Sequence, residues 1–141
     1  AGRMLRLSEE IELTRIYQRI EMHRLGDRLH VDWDVDTLPM DALIPGLTVQ
    51  PLLENAIYHG IEPLDDGGTV TVRGRAENGI IAIEISNPLR RDAEGSAHRG
   101  QGMAMQNIRD RLRITFDGKG SLETDESDGA WRVTLRLPET Q

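Results

Sequence analysis

Asn55 and His59 lie in the segment QPLLENAIYHG, one helical turn apart. Val49, Leu52, Leu53, Ala56 and Ile57 recur there as one face of a helix. At about 100° per residue, Asn55 and His59 stand roughly 40° apart on the border of that face. An asparagine oxygen can coordinate a hard cation such as Mg²⁺. A histidine nitrogen can donate to a phosphate oxygen. A helix-edge Asn or His is more often simply solvated, so the pair alone does not decide the matter. A second group is RGQGMAMQNIRDRL, where Gly100 and Gly102 come just before a helix. Glycine lets a backbone approach a ligand closely, and a helix start offers unpaired N–H groups to an anion. The preceding segment carries Arg90, Arg91, His98 and Arg99, and its plain alternative is a solvated surface loop. No Walker sequence occurs. Thirdly, the strand-like IEIS runs into Asn87-Pro88 at the mouth of the same loop. An amide there could read a base edge, although Asn-Pro is also a common turn.

The elements that must hold these groups follow from patterning. LSEEIELTRIYQRIEMHRLGD reads as a long helix, with Ser8 as N-cap and Glu9 and Glu10 in the first turn. Leu13, Ile16, Tyr17 and Ile20 form its expected apolar stripe, and Gly26 is its stop. LHVDWDVD alternates as a strand with Val31, Trp33 and Val35 on one side, and TLPMDALIPG reads as a loop. Thr48 is placed to cap the next helix, Pro51 falls in its first turn, and Gly60 is placed to end it. TVTVRGRA and IIAIEIS flank Asn78-Gly79, a strong hairpin signal. A helix from Met103 to about Ile114 should bury Met105, Ile108 and Leu112, with Met103 a further candidate. DGKG and SDG then mark turns around SLET and AWRVTLRLP, whose Trp131, Val133, Leu135 and Leu137 share one face. Tight antiparallel pairs differ from the βαβ alternation of a dinucleotide fold. The expectation is one mixed sheet with helices on one face.

The 141 residues suffice for one domain with a real core. A formal net charge of -7 argues against a broad nucleic-acid or acidic-membrane surface. With no cysteine there is neither a disulfide framework nor a thiol nucleophile. His23, His30, His59 and His98 form no metal-binding pair at helical spacing. No apolar run reaches the length of a membrane span and the start is not a signal peptide, so a soluble fragment of a longer protein is expected.

Taken in order, a helix with Asn55 and His59, a strand ending in Asn87, and Gly100 and Gly102 at a helix start resemble the nucleotide-binding domain of the GHKL group. QPLLENAIYHG looks like the N-box and GQGMAMQNIRDRL like the second glycine box. IPGLTVQPLLENAIYHGI with NIRDRL more narrowly resembles the LytS/YehU branch of sensor histidine kinases. LSEEIELTRIYQRIEMHRLGDRL is similar to that branch's connection between phosphoacceptor region and catalytic domain.

The resemblance implies an α+β fold, a two-layer α/β sandwich of the Bergerat type. Residues 1–28 would be the helical linker and 29–141 the domain binding ATP and Mg²⁺. Asn55 would ligate the metal and His59 would meet a phosphate. Residues 88–102 would form a lid, with Arg99, Gly100, Gly102 and Met103 on the nucleotide. Asn107 matches a recurrent asparagine of the second glycine box, and Asn87 would face the base. The γ-phosphoryl would pass to a histidine on an upstream dimerisation domain absent from this chain, so no further catalytic residue is expected here. A LytTR-type response regulator would be the partner, with no direct nucleic-acid contact. The parent would be a homodimer anchored at the inner membrane with this domain on its cytoplasmic side.

Three departures from the pattern involve four positions. Asn87 and Leu89 stand where the first glycine box has aspartate and glycine, and Ala104 replaces a third glycine. Pro51 occupies the place where ATP-hydrolysing relatives carry a basic glutamate. Glu54 is adjacent to Asn55 but points about 100° away from it. These departures disfavour a hydrolase. They leave a kinase or, as the alternative, a degenerate domain acting through protein contact.

Overall fold

The computed structural model describes residues 3–89 and 102–140. The chain opens with β1 (Met4–Arg6) and α1 (Leu7–Leu25), then one tight helical turn (Gly26–Arg28) and β2 (Leu29–Asp34). Next come β3 (Leu43–Pro45) and α2 (Val49–Asn55), which continues as a wide turn over Ala56–Ile61. The hairpin β4 (Gly68–Glu77) and β5 (Ile80–Pro88) precedes α3 (Gly102–Thr115) and the hairpin β6 (Ser121–Ser127) and β7 (Ala130–Pro138).

Five strands form one mixed sheet in the order β2-β4-β5-β7-β6. Only β2 runs parallel to its neighbour, because the crossover through α2 separates it from β4. Both long hairpins turn on the predicted residues. Asn78 and Gly79 have φ of 54° and 78°, and Asp128 and Gly129 have 53° and 74°. Two successive left-handed residues match the right-handed twist of the flanking strands. Val70, Val72, Ile81, Ile83, Ile85, Val133, Leu135 and Leu137 are buried in one core with Leu52, Leu53, Ile108 and Leu112 of the helices. The opposite face carries Arg73, Arg75, Glu84, Arg132 and Arg136, none of them buried. This is the expected two-layer α/β sandwich with helices on one face. Among the described residues no helix is long and apolar enough to cross a membrane.

Four local expectations need correction. Residues 43–45 are a strand, not a loop, and pair antiparallel with β1. Three-residue strands show too little period to be read. Helix α1 starts at Leu7, so Ser8 is inside it and is not its cap. The backbone N–H of Leu7 and Ser8 already donate to Ala42 and Met40 carbonyls, at 2.7 and 3.0 Å. The Arg6 N–H in turn donates to Glu9 Oε1 at 2.9 Å, the return half of a capping box. Thr48 does not cap α2 with its side chain; its hydroxyl donates to the Pro45 carbonyl at 2.6 Å.

The fourth correction concerns the face of α1. Leu7, Ile11 and Leu25 are buried, together with Glu10 and Thr14. Leu13, Ile16 and Ile20 are exposed at 45, 41 and 61%, and of the expected stripe only Tyr17 packs against the core. The helix is turned by Glu10, whose carboxylate meets backbone donors at the start of α2. In this orientation Leu7, Ile11 and Leu25 are buried in place of Leu13, Ile16 and Ile20, and Glu10 gains charge-assisted bonds as well. Thr14 is satisfied in place, donating to the Glu10 carbonyl at 2.8 Å.

Burial pushes the Tyr17 phenol up to about 12, and the carboxylates of Glu21, Glu54 and Glu62 add to it while Arg24 opposes them. The folded state therefore favours the neutral phenol. Its contribution is fully present below the ordinary tyrosine pKa of about 10 and is lost as pH rises through about 12. The phenolate absorbance lost in Tyr17→Phe should titrate near pH 12, and the native protein should lose more stability than this variant between about pH 10 and 12. A Tyr17 component ionising near 10 would contradict the packing described.

Candidate functional site

Strand β5 alternates Ile81, Ile83 and Ile85 into the core, and Asn87 takes the next inward place. It is only 5% exposed, an amide in an aliphatic row. Its Nδ2 donates to the Pro88 carbonyl at 2.9 Å, which leaves Oδ1 to accept from a further group. The strand stays paired through this position, with Asn87 opposite Trp131 of β7. The Leu89 N–H then donates to the Gly129 carbonyl at 2.8 Å, so the residue at the expected glycine place is tied to the β6–β7 turn.

Asn55 closes α2 and faces the same space. A narrow gap, too small as it stands to admit water, is lined by Leu52, Asn55 and Ala56, by Ile85 and Asn87, by Met105 of α3, and by Trp131 and Val133. The Asn55 Nδ2 is buried with no hydrogen-bond partner. A donor buried without a partner is costly, and among the described residues none meets it. Glu54 lies on the other side: Gln50 Nε2 approaches its Oε2 at 3.5 Å, and its charge is felt by Tyr17. That agrees with the angular separation read from the sequence.

After Asn55 the helix widens. The Glu62 N–H donates to the Ile57 carbonyl at 3.0 Å, five residues back, and the turn runs to Ile61. Gly60 therefore does not end the helix. It is buried beneath Asn87: a Cβ there would lie 2.5 Å from Asn87 Cγ and 2.7 Å from its Cβ. Single π turns inside α-helices concentrate at functional sites. This one also changes the angle between Asn55 and His59 from that of a regular helix. His59 is half-buried, edge-on to Tyr58 with ring centroids 4.8 Å apart, and is not among the residues lining the pocket.

Helix α3, expected from Met103, already includes Gly102 and buries Met105, Ile108 and Leu112 as expected. Met103 is 80% exposed and takes no part in the core. Asn107 is also exposed. Arg99 and Gly100, with most of the segment assigned to a lid, lie outside the described residues. Sequence reasoning missed Met105 and Trp131 as pocket walls. Both had been read as core, and a core residue becomes a site wall only where the packing leaves a gap. Among the described residues no three His, Cys, Asp or Glu side chains gather to hold a metal.

No protein-family model matches the sequence. BtsS, a sensor histidine kinase of Escherichia coli (strain K12), is 34% identical over 133 residues, which cover 94% of this chain and 23% of BtsS. The sensor histidine kinase YesM of Bacillus subtilis (strain 168) is 29% identical over 139 residues, with the same coverage of 94% and 23%. The chain thus spans about a quarter of the length of these curated relatives. The solved catalytic domain of histidine kinase ThkA aligns with a TM-score of 0.66 at 12% identity, covering 99% of this chain and 98% of that one. Full-length ShkA in complex with AMPPNP aligns with a TM-score of 0.66 at 14% identity, covering 100% of this chain and 32% of that one. The fold is therefore that of histidine kinase catalytic domains of the GHKL type. By sequence, the chain is a homologue of the sensor histidine kinases LytS, YesM and BtsS, the branch that its N-box and second glycine box resemble.

Gly60 and Asn87 should behave as an energetic pair. Gly60→Ala overpacks the site and should destabilise the protein by about 1–3 kcal/mol. In an Asn87→Gly background Cβ, Cγ and Nδ2 of residue 87 are all gone, so the same change should be much less harmful. A double-mutant cycle by denaturant unfolding measures the coupling. Additive effects would show that Asn87 does not rest on Gly60.

Proposed function

We propose that this chain is the ATP-binding catalytic domain of a sensor histidine kinase, which passes the γ-phosphoryl of ATP to a histidine on an upstream domain. The observation that carries this reading is the meeting of Asn55 and Asn87 in one pocket between helix and sheet, within a fold shared with histidine kinase catalytic domains. Asn87, its Nδ2 already engaged, is suited to accept from the adenine amino group through Oδ1. Asn55 lines the same gap with an amide whose oxygen can coordinate a hard cation, while its buried Nδ2, a donor without a partner among the described residues, can serve only an acceptor such as a phosphate or water oxygen. Mg²⁺ bound to nucleotide is held mostly by phosphates and water and needs only one or two protein oxygens, so a single amide fits it. When bound, the ion would neutralise charge on the phosphates.

The other assignments belong to the same proposal. Asn55 holds Mg²⁺ through Oδ1, and His59 donates to a phosphate oxygen. The N–H groups opening α3 at Gly102 and Met103, with Gly100 and Arg99 before them, receive the phosphates, and Asn107 lies one turn further along that helix. Pro51 offers no base to activate water, which suits transfer to a histidine rather than hydrolysis. The chain's contribution is then positioning and charge neutralisation. The degenerate alternative draws on Asn87, Leu89 and Ala104. Asn87 nevertheless remains in the pocket with an acceptor to offer, which favours a working base site. The proposed partners are an upstream histidine-bearing dimerisation domain and a response regulator of LytTR type, in a homodimeric, membrane-anchored parent with this domain on the cytoplasmic side.

Calorimetry with ATP and a slowly hydrolysed analogue, with and without Mg²⁺, tests the reading. Asn55→Ala should bind nucleotide without responding to Mg²⁺ and keep its fold, since Asn55 stands at the rim of the core. Binding of Mg-ATP equal to the parent's would remove Asn55 from the metal.

The adenine assignment has its own test. A bond to a charged acceptor is roughly twice as strong as one to a neutral acceptor, a difference on the order of 1 kcal/mol or several-fold in affinity. Asn87→Asp should therefore raise the preference for ATP over GTP several-fold, because guanine presents a carbonyl where adenine presents its amino group. An unchanged ATP/GTP ratio would mean that Asn87 faces no base.

A further inference from the structure

Glu10 is fully buried, yet it belongs to none of the groups assigned to the nucleotide. Its Oε1 accepts from the Leu47 N–H at 3.0 Å. Its Oε2 accepts from Thr48, Val49 and Gln50 at 2.9, 2.8 and 3.2 Å. These are the amides that a helix start leaves without partners, at the positive end of the α2 dipole. The donors offset the burial of a carboxylate. The cap of α2 thus comes from another helix, because the Thr48 hydroxyl is turned to Pro45.

The same turn is held from its far side by α3. Arg111 Nη2 donates to the Leu47 carbonyl and lies 3.3 Å from Thr48 Oγ1. Between these two grips Leu47 has φ of 60°, a left-handed conformation that a leucine adopts only when its surroundings impose it. Residues 47–48 are therefore the point where α1, the helix bearing Asn55 and the helix beginning at Gly102 are joined. Val49 to Asn55 is a short rigid lever, so a displacement of its first turn moves Asn55 at its other end. Asn87 has its backbone in the sheet and touches the helical segment further on, at Gly60.

We propose that Glu10 is a positioning residue that couples α1 to the metal-side half of the site, setting the orientation of Asn55 through the turn at residues 47–50. The link to nucleotide rests on the function proposed above; the link to Asn55 does not. On that function the phosphoacceptor lies on the N-terminal side of α1, so Glu10 is the contact by which a shift of α1 reaches the phosphate end of the site first and the base end only through Gly60.

The experiment uses Glu10→Gln and Arg111→Lys in this chain. Glutamine keeps the shape but turns an N–H towards backbone N–H groups. Lysine keeps the charge but loses the guanidinium fork. Side-chain amide resonances of Asn55 and Asn87 are followed by NMR without ligand, and nucleotide affinity is measured with Mg²⁺ and with chelator. The Asn55 resonance should shift in both variants, and by more than that of Asn87, which meets the same helical segment only at Gly60. Mg-ATP affinity should fall on the order of tenfold, with metal-free affinity within about twofold of the parent. A role confined to stability would lower the unfolding temperature and leave both the Asn55 resonance and the metal dependence unchanged, and that result overturns the proposal. If Glu10→Gln does not fold, Arg111→Lys decides alone, since it loosens the same turn from the other side. Failure of the native chain to bind Mg-ATP would sink the kinase reading, and the Asn55 resonance would still judge the coupling.

Discussion

Glu10 places a carboxylate where solvent does not reach it, and four backbone amides of residues 47–50 meet it there. Either half alone would be unfavourable: a buried carboxylate needs donors, and a helix start buried without a cap needs acceptors. Together they lock α1 to α2, and much else follows. The first helix must turn Leu7, Ile11 and Thr14 inward with Glu10, which leaves Leu13, Ile16 and Ile20 facing out. Residues 40–42 can then accept from the first amides of α1, and β3 can pair with β1. The left-handed Leu47 is the strain that this arrangement retains, on the order of 1–3 kcal/mol.

The site itself is made by interrupting regular structure at two places. On β5 an asparagine takes a position that the strand pattern reserves for an aliphatic side chain. Burying an amide without partners would cost about 1–3 kcal/mol, and the bond to the Pro88 carbonyl recovers part of it. On the facing helix one turn widens, and a glycine within it leaves the volume that Asn87 needs. Half-buried Asn55 adds a second amide, its buried Nδ2 without a partner among the described residues. Polar groups with unmet hydrogen bonds in an otherwise aliphatic core mark a place where stability gives way to binding.

The substitutions at the glycine boxes change the character of this site more than its position. In the base site proposed above, a neutral amide in place of a carboxylate would weaken the discrimination of a base edge without abolishing an acceptor. Leu89 continues the backbone connection to Gly129. Pro51 contributes to starting α2, its missing N–H falling in the turn where no intrahelical donor is lost. The same residue that removes a base therefore supports the helix that presents Asn55.

Much of the architecture was legible in the sequence because it depends on short-range chemistry. Asn78-Gly79 and Asp128-Gly129 adopt left-handed conformations at little cost wherever they occur, so both hairpins could be read locally. The alternation of β7, the stop at Gly26 and the inward face of α3 are local in the same sense. Asn55, Asn87 and Gly102 could be singled out from residue type and order. That Asn55 and Asn87 share one pocket required the fold, as did the finding that Gly60 makes room rather than ends a helix. The cap of α2 and the rotation of α1 were decided only in three dimensions. Both rest on Glu10, whose bonding partners lie nearly forty residues away. A glutamate in the first turn of a helix reads as a solvated dipole partner. Only the approach of a second helix start, with amides to satisfy, makes burial its lower-energy place.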